Sequence, residues 1–145
     1  MNFEFVNKVT KAQIKFCKNV GLDVSSDTER VAIARLHETI QREFWENTDL
    51  GRPTENQVEL ASKFGIDISN MSRIVGNAII DDIMSELNKE AIIEQSLKPG
   101  SRVRKTYDEN GKIYIISSIK RDGTVYFKGG NGQKAWARNL VSTEQ

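Results

Sequence analysis

Two stretches of the chain carry the same order of apolar and polar positions, 44 residues apart. TKAQIKFCKNVGLDVSS covers 10–26 and TENQVELASKFGIDISN covers 54–70. Each opens with T-x-x-Q, Thr10 with Gln13 and Thr54 with Gln57. That spacing predicts a helix start closed by a capping box, in which the threonine oxygen takes a first-turn amide and the glutamine reaches back. Apolar residues follow at helical spacing: Ile14, Phe16, Cys17 and Val20 in the first copy, Val58, Leu60, Ala61 and Phe64 in the second. Gly21 and Gly65 are expected to end these helices, where a left-handed residue costs least. The turns LDVSS and IDISN come next. Ser25 or Ser26, and Ser69 or Asn70, are the expected caps of a second helix in each copy.

The second helices are predicted over 27–45 and 71–87. Val31, Ala34, Leu36 and Ile40 align without a gap on Val75, Ala78, Ile80 and Met84. Ala91, Ile92 and Ile93 extend the later helix, so one long helix is expected over 72–96. Cap, glutamine, glycine and Asp23/Asp67 all keep register, which reads as a duplication. The repeats run over about 9–47 and 53–91, joined by WENTDLGRP with Pro53 before the second cap. Two such hairpins are expected to bury their apolar stripes against each other as a four-helix unit.

After Leu97 the period changes from helical to alternating. Runs rich in isoleucine, valine and aromatic residues are separated by Asn110-Gly111, Asp122-Gly123 and the glycine-rich stretch 129–132. These are turn signals between short strands. The fold class is therefore α+β: duplicated helical hairpins over 1–96, then a small five-stranded β-barrel over 97–145. Val125 and Phe127 are expected to face inward, Tyr126 and Lys128 outward.

Charge sharpens this division. Residues 1–96 hold 11 Lys and Arg against 16 Asp and Glu, net −5; residues 97–145 hold 10 against 4, net +6, for +1 overall. Such a split suggests two parts facing different partners, or each other. No apolar run reaches the roughly 18 residues of a membrane helix. The opening MNFEFVNKVTK lacks the features of a signal peptide. A lone cysteine, Cys17, excludes an internal disulfide, and a cytoplasmic setting is expected.

The barrel segment resembles the SH3-like and Tudor-like barrels. The matching features are a P-G-x-x-V opening, G-x-I-Y-x-I, D-G-x-V-Y and an A-R-N-L ending, over nearly all of 98–143. The resemblance implies a fold more than a function, because such barrels bind DNA, RNA or peptides. The T-x-x-Q…G-[IL] pattern resembles small helical modules of phage and mobile-element DNA-metabolism proteins. Thr10, Gln13, Gly21, Thr54, Gln57 and Gly65 carry that match, and all are capping residues.

Candidate chemistry is sparse. One cysteine and one histidine cannot build a structural zinc site, and no metal or other cofactor is expected. His37 reads as a solvent-facing helix residue. Cys17 reads as a buried small hydrophobe, with no histidine placed to activate it. Asp81, Asp82 and Glu86 read as a solvated helix face, since neighbours on a helix diverge by about 100°. No catalytic residues are assigned and no enzyme is expected.

The best lead is the basic barrel. Arg102, Arg104, Lys105, Lys128, Lys134 and Arg138 are candidates for phosphate contact, with Tyr126 and Trp136 for base stacking. The expected function is a non-enzymatic, nucleic-acid-binding accessory protein of a phage or mobile element. DNA or RNA is the expected partner. The alternative is a protein-binding inhibitor or adaptor, such as a phage-encoded blocker of a host defence nuclease. It would grip a protein partner through the barrel or the acidic helices.

Overall fold

The computed structural model describes residues 1–44, 49–130 and 132–143. Helices α1 (Lys11–Lys18) and α3 (Glu55–Ser62) start at the two threonines. Each threonine is extended (φ −85° and −70°, ψ 160°), and both halves of each capping box are formed. Gly21 and Gly65 follow with φ of 76° and 78°. The amides of Leu22 and Ile66 return to the carbonyls of Cys17 and Ala61 at 3.0 and 3.1 Å. The two copies thus end their first helices with the same closing bond, at the same offset.

The second helices are α2 (Glu29–Phe44) and α4 (Arg73–Glu94). Position 45, the expected end of the first, lies outside the described residues. Their caps differ from the expectation. Thr28 Oγ1 accepts from Val31 N and Ser72 Oγ from Val75 N, at 3.2 and 3.3 Å. Ser25 and Ser69 instead donate their amides to Asp23 and Asp67, at 3.0 and 2.9 Å. These turns hold both aspartate carboxyls below the usual range, through the Ser25 amide in one and the Ser69 hydroxyl and amide in the other. An aspartate two residues before a serine competes for the amide. The chain then makes one more turn before the helix begins.

Thr28 and Ser72 are themselves 44 apart, and so are Glu38 and Asp82. The caps use these pairs crosswise: Thr28 Oγ1 donates to Asp82 Oδ2 at 2.5 Å, and Ser72 Oγ donates to Glu38. Position i of one copy bonds position j of the other, and the reverse. This exchange is the signature of a two-fold, self-complementary pairing, here between two halves of one chain. Val24 and Ile68, again equivalent, are both fully buried, as are Cys17 and Ala61. One backbone bond at the entry to each copy matches too. Glu29 N bonds Asn7 O, and Arg73 N bonds Gly51 O.

Asp82 and Glu86 are buried to 1% and 0% exposure, so they are not a solvated face; Asp81 alone is exposed. The reason is the pairing itself, which draws Asp82 onto Thr28 and Arg30. Arg30 Nη1 lies 2.9 Å from its carboxylate. Burial pushes the Asp82 carboxyl above its ordinary value, against the opposing pull of Thr28 and Arg30. With the folded pKa above the unfolded one, this group's contribution is full below the ordinary carboxylate pKa. It is lost as pH rises through the raised value. Stability of Asp82→Asn should therefore depend less on pH above about pH 4 than that of the parent, measured by urea unfolding across pH.

The chain separates into two compact units, Met1–Ile83 and Met84–Gln145, dividing within α4; the sequence reading placed the boundary after residue 96. In the second unit α4 ends at Glu94, and Ser96, two residues on, closes the helix with a φ of 51°. Leu97 N returns to Ile92 O at 2.9 Å. A non-glycine residue there is strained by roughly 1–2 kcal/mol. Ser96→Gly should raise stability by about 0.5–1 kcal/mol once glycine's greater chain entropy is deducted, read as a higher melting temperature.

Five antiparallel strands follow: β1 (Arg102–Lys105), β2 (Ile113–Ile119), β3 (Thr124–Phe127), β4 (Lys134–Trp136) and β5 (Leu140–Ser142). Their order is β4-β3-β2-β1-β5. The expected barrel is not closed: β4 and β5 are the two edges. Each has three residues, and a 3-10 turn, Ala137–Asn139, carries the chain between them without a ladder. One face of the sheet holds Val103, Ile116, Val125, Phe127 and Leu140 in a core with Leu97, joined by Ala91 and Ile92 of α4.

Candidate nucleic-acid interface

Strand alternation decides which basic side chains can act together. Val103 is fully buried, so Arg102 and Arg104, on either side of it, point to the opposite face. Opposite them in the ladder stand Ile115 and Ile113, both exposed. In β3, Val125 and Phe127 are buried, which turns Tyr126 to that same outer face. Lys134 is paired with Tyr126, and Trp136 with Thr124. Lys128 continues the alternation beyond β3, its amide bonded to Ile115 O at 2.9 Å.

The outer face therefore gathers Arg102, Arg104, Lys128, Lys134, Tyr126 and Trp136. Adjacent strands lie about 4.8 Å apart, so the row from β1 to β4 spans about 15 Å measured along a flat sheet. β2 bends partway along. Its register shifts between Ile116 and Ser118, so its first half pairs β1 and its second half β3.

Two candidates fall elsewhere. Lys105 shares the parity of Val103 and turns from the outer face. Its Nζ sits 4.8 Å from the Tyr114 ring centroid and 5.9 Å from that of Phe127. Those two rings stack at 4.6 Å. A lysine over a stacked aromatic pair covers the open rim of an apolar layer with its stem. Arg138 lies in the 3-10 turn. Asn88 Oδ1 of α4 accepts from its backbone amide and from Nη1, at 3.1 and 3.3 Å. Burial lowers its pKa from the ordinary guanidinium value. Arg138 still reaches the site indirectly, because its guanidinium lies 5.1 Å from the Trp136 ring.

Lys120, at the β2–β3 turn, does the same for Tyr126, with Nζ 5.1 Å from the ring. Each outer-face ring thus has a cation beside it. Asp122 shapes this turn: its carboxylate accepts the Thr124 amide at 2.9 Å, which lowers its pKa. Gly129, Gly130 and Gly132 all have positive φ in the β3–β4 connection, and Asn131 lies outside the described residues. Sequence reasoning had no signal for Asn88, since its partners are 34 to 50 residues away. The exposed Ile113 and Ile115 were legible as strand residues but not as part of this face.

His37 is exposed beside Gln41, and Cys17 is a buried free thiol. Among the described residues no cluster of three or more metal-binding side chains occurs, and no helix is long and apolar enough to cross a membrane. Comparison of the chain with protein-family models, curated proteins and solved structures found no match. The site therefore rests on its own chemistry.

Proposed function

We propose that this chain is a non-enzymatic accessory protein that binds single-stranded nucleic acid on the outer face of its sheet. The observation that carries the reading is the placement of four cations and two aromatic rings on one face. Arg102, Arg104, Lys128 and Lys134 would neutralise phosphates. Tyr126 and Trp136 would offer flat surfaces to unpaired bases, each worth roughly 1–3 kcal/mol. Lys120 and Arg138 would steady those rings from the side by cation–π contact. Trp136 is 41% exposed, enough to receive a base.

Strand order, the bend in β2 and the 3-10 turn before β5 support an SH3-like reading of the sheet. The capping pattern shared with phage and mobile-element modules supports a role in DNA metabolism, in a cytoplasm that keeps Cys17 reduced. A fluorescent oligo-thymidine should bind at low salt, and log K should fall linearly with log salt. Failure to bind at low salt, or binding indifferent to salt, would refute the reading.

A further inference from the structure

The centre of the outer face is apolar. β2 is the middle strand of the sheet, with β3 and β4 to one side and β1 and β5 to the other. Its first half turns Ile113 and Ile115 outward, 54% and 37% exposed. Tyr114 and Ile116 alternate with them and pack into the core. The solvated face of an antiparallel sheet ordinarily carries polar side chains at such positions.

Cations flank this strip on both sides. Ile113 stands opposite Arg104 and Ile115 opposite Arg102 in the β1–β2 ladder. Toward β3, the Lys128 amide bonds Ile115 O at 2.9 Å, which sets Lys128 beside Ile115. Directly opposed residues hold their Cβ atoms about 4.5–5.5 Å apart. A ligand laid here meets methyl groups in the middle and positive charge at the margins. A base lying between phosphates has the complementary layout.

The polar groups on the face narrow the choice of base. None of the outward positions of β1 to β4 is Asp, Glu, Asn or Gln. Those are the side chains that receive the amino groups of cytosine and adenine, whereas Arg and Lys only donate. Adenine, cytosine and guanine each carry an amino group; thymine and uracil carry none and present carbonyl acceptors instead. The isoleucines separate these two. Thymine has a C5-methyl group where uracil has hydrogen, and apolar side chains are the contacts that read that methyl.

We infer that Ile113 and Ile115 are specificity-determining residues, which select thymine and therefore DNA. This choice of base rests on the nucleic-acid reading of the outer face and adds to it what the face prefers. Arg102, Arg104 and Lys128 hold phosphates at the margins, and thymine methyls lie on the strip between them.

The full chain is titrated into two labelled strands of about 15 nucleotides, within the span of a small single-strand site. One is oligo-thymidine and the other oligo-deoxyuridine, so they differ only in the methyl groups. Oligo-thymidine should bind roughly four- to fifteenfold more tightly, for one or two methyls buried. Both should lose affinity with salt at the same slope, since their phosphates are the same. Ile113→Thr with Ile115→Thr keeps β-branched residues in the strand and should shrink the ratio below about twofold. It should leave the salt slope unchanged. The inference is overturned if the parent binds both strands alike, or if the double variant keeps the parent's ratio. Either result, with salt-dependent binding intact, leaves the phosphate-binding reading of the face standing. Binding to neither strand at low salt overturns both.

Discussion

Asn88→Ala should lower the stability of the sheet-bearing unit by about 3 kcal/mol, and Gly123→Ala by a similar amount. Asn88 is 2% exposed. Its Oδ1 accepts from Arg138 N and Nη1, and its Nδ2 donates to Asp122 O at 3.3 Å. Alanine removes all three bonds, two of them to a half-buried amide and carbonyl, each lost partner costing up to about 1–3 kcal/mol. Gly123 lies against the same side chain. A Cβ there would stand 2.6 Å from Asn88 Cβ and 2.7 Å from Cγ, at a φ of 92° that other residues rarely adopt. The two substitutions attack one contact from opposite sides, so their costs should not add. Thermal unfolding should show each single variant about 10 °C below the parent. A double variant falling by the full sum would show that Gly123 and Asn88 act independently.

The crosswise caps carry the second large effect. Thr28→Val should cost about 3 kcal/mol. It removes a helix cap, worth about 1 kcal/mol, and a hydrogen bond to a buried carboxylate, worth about 1.5–3 kcal/mol. Ser72→Ala removes the equivalent cap but should cost less. Its acceptor, Glu38, is 18% exposed against 1% for Asp82, and it also pairs with Arg42 at 3.1 Å. Water can replace part of what Ser72 supplied. Urea unfolding of both variants measures the difference. A double-mutant cycle between Thr28→Val and Asp82→Ala should return a coupling of about 0.5–3 kcal/mol. A coupling of zero would mean the pairing contributes nothing to holding the copies together.

Much of the architecture was legible because it is written locally. Capping boxes, glycine stops and turn pairs each depend on residues within a few positions, and the structure forms them where the pattern places them. The caps of α2 and α4 were misplaced by two or three residues, because Asp23 and Asp67 claim the serine amides. Asp82 was misread because burial by a partner helix leaves no periodic trace beside an exposed Asp81. The sheet's failure to close depends on how far β4 and β5 extend, which turn signals do not fix. For the site, alternation around Val103 already separates Lys105 from Arg102 and Arg104, and that signal was present in the sequence. The tether of Arg138 to Asn88 was not, since 50 residues intervene.

The sheet face is tested most directly by the slope of log K against log salt for an oligo-thymidine. The comparison is between the parent and a variant carrying Arg102→Gln, Arg104→Gln, Lys128→Gln and Lys134→Gln. Each phosphate neutralised on a single strand contributes about 0.7 to that slope, so the variant should lose about 3 units. Lys105→Gln, on the other side of β1, should leave the slope close to the parent's. A fourfold variant with the parent's slope would contradict the account, because the outer face would then not be where phosphates are held.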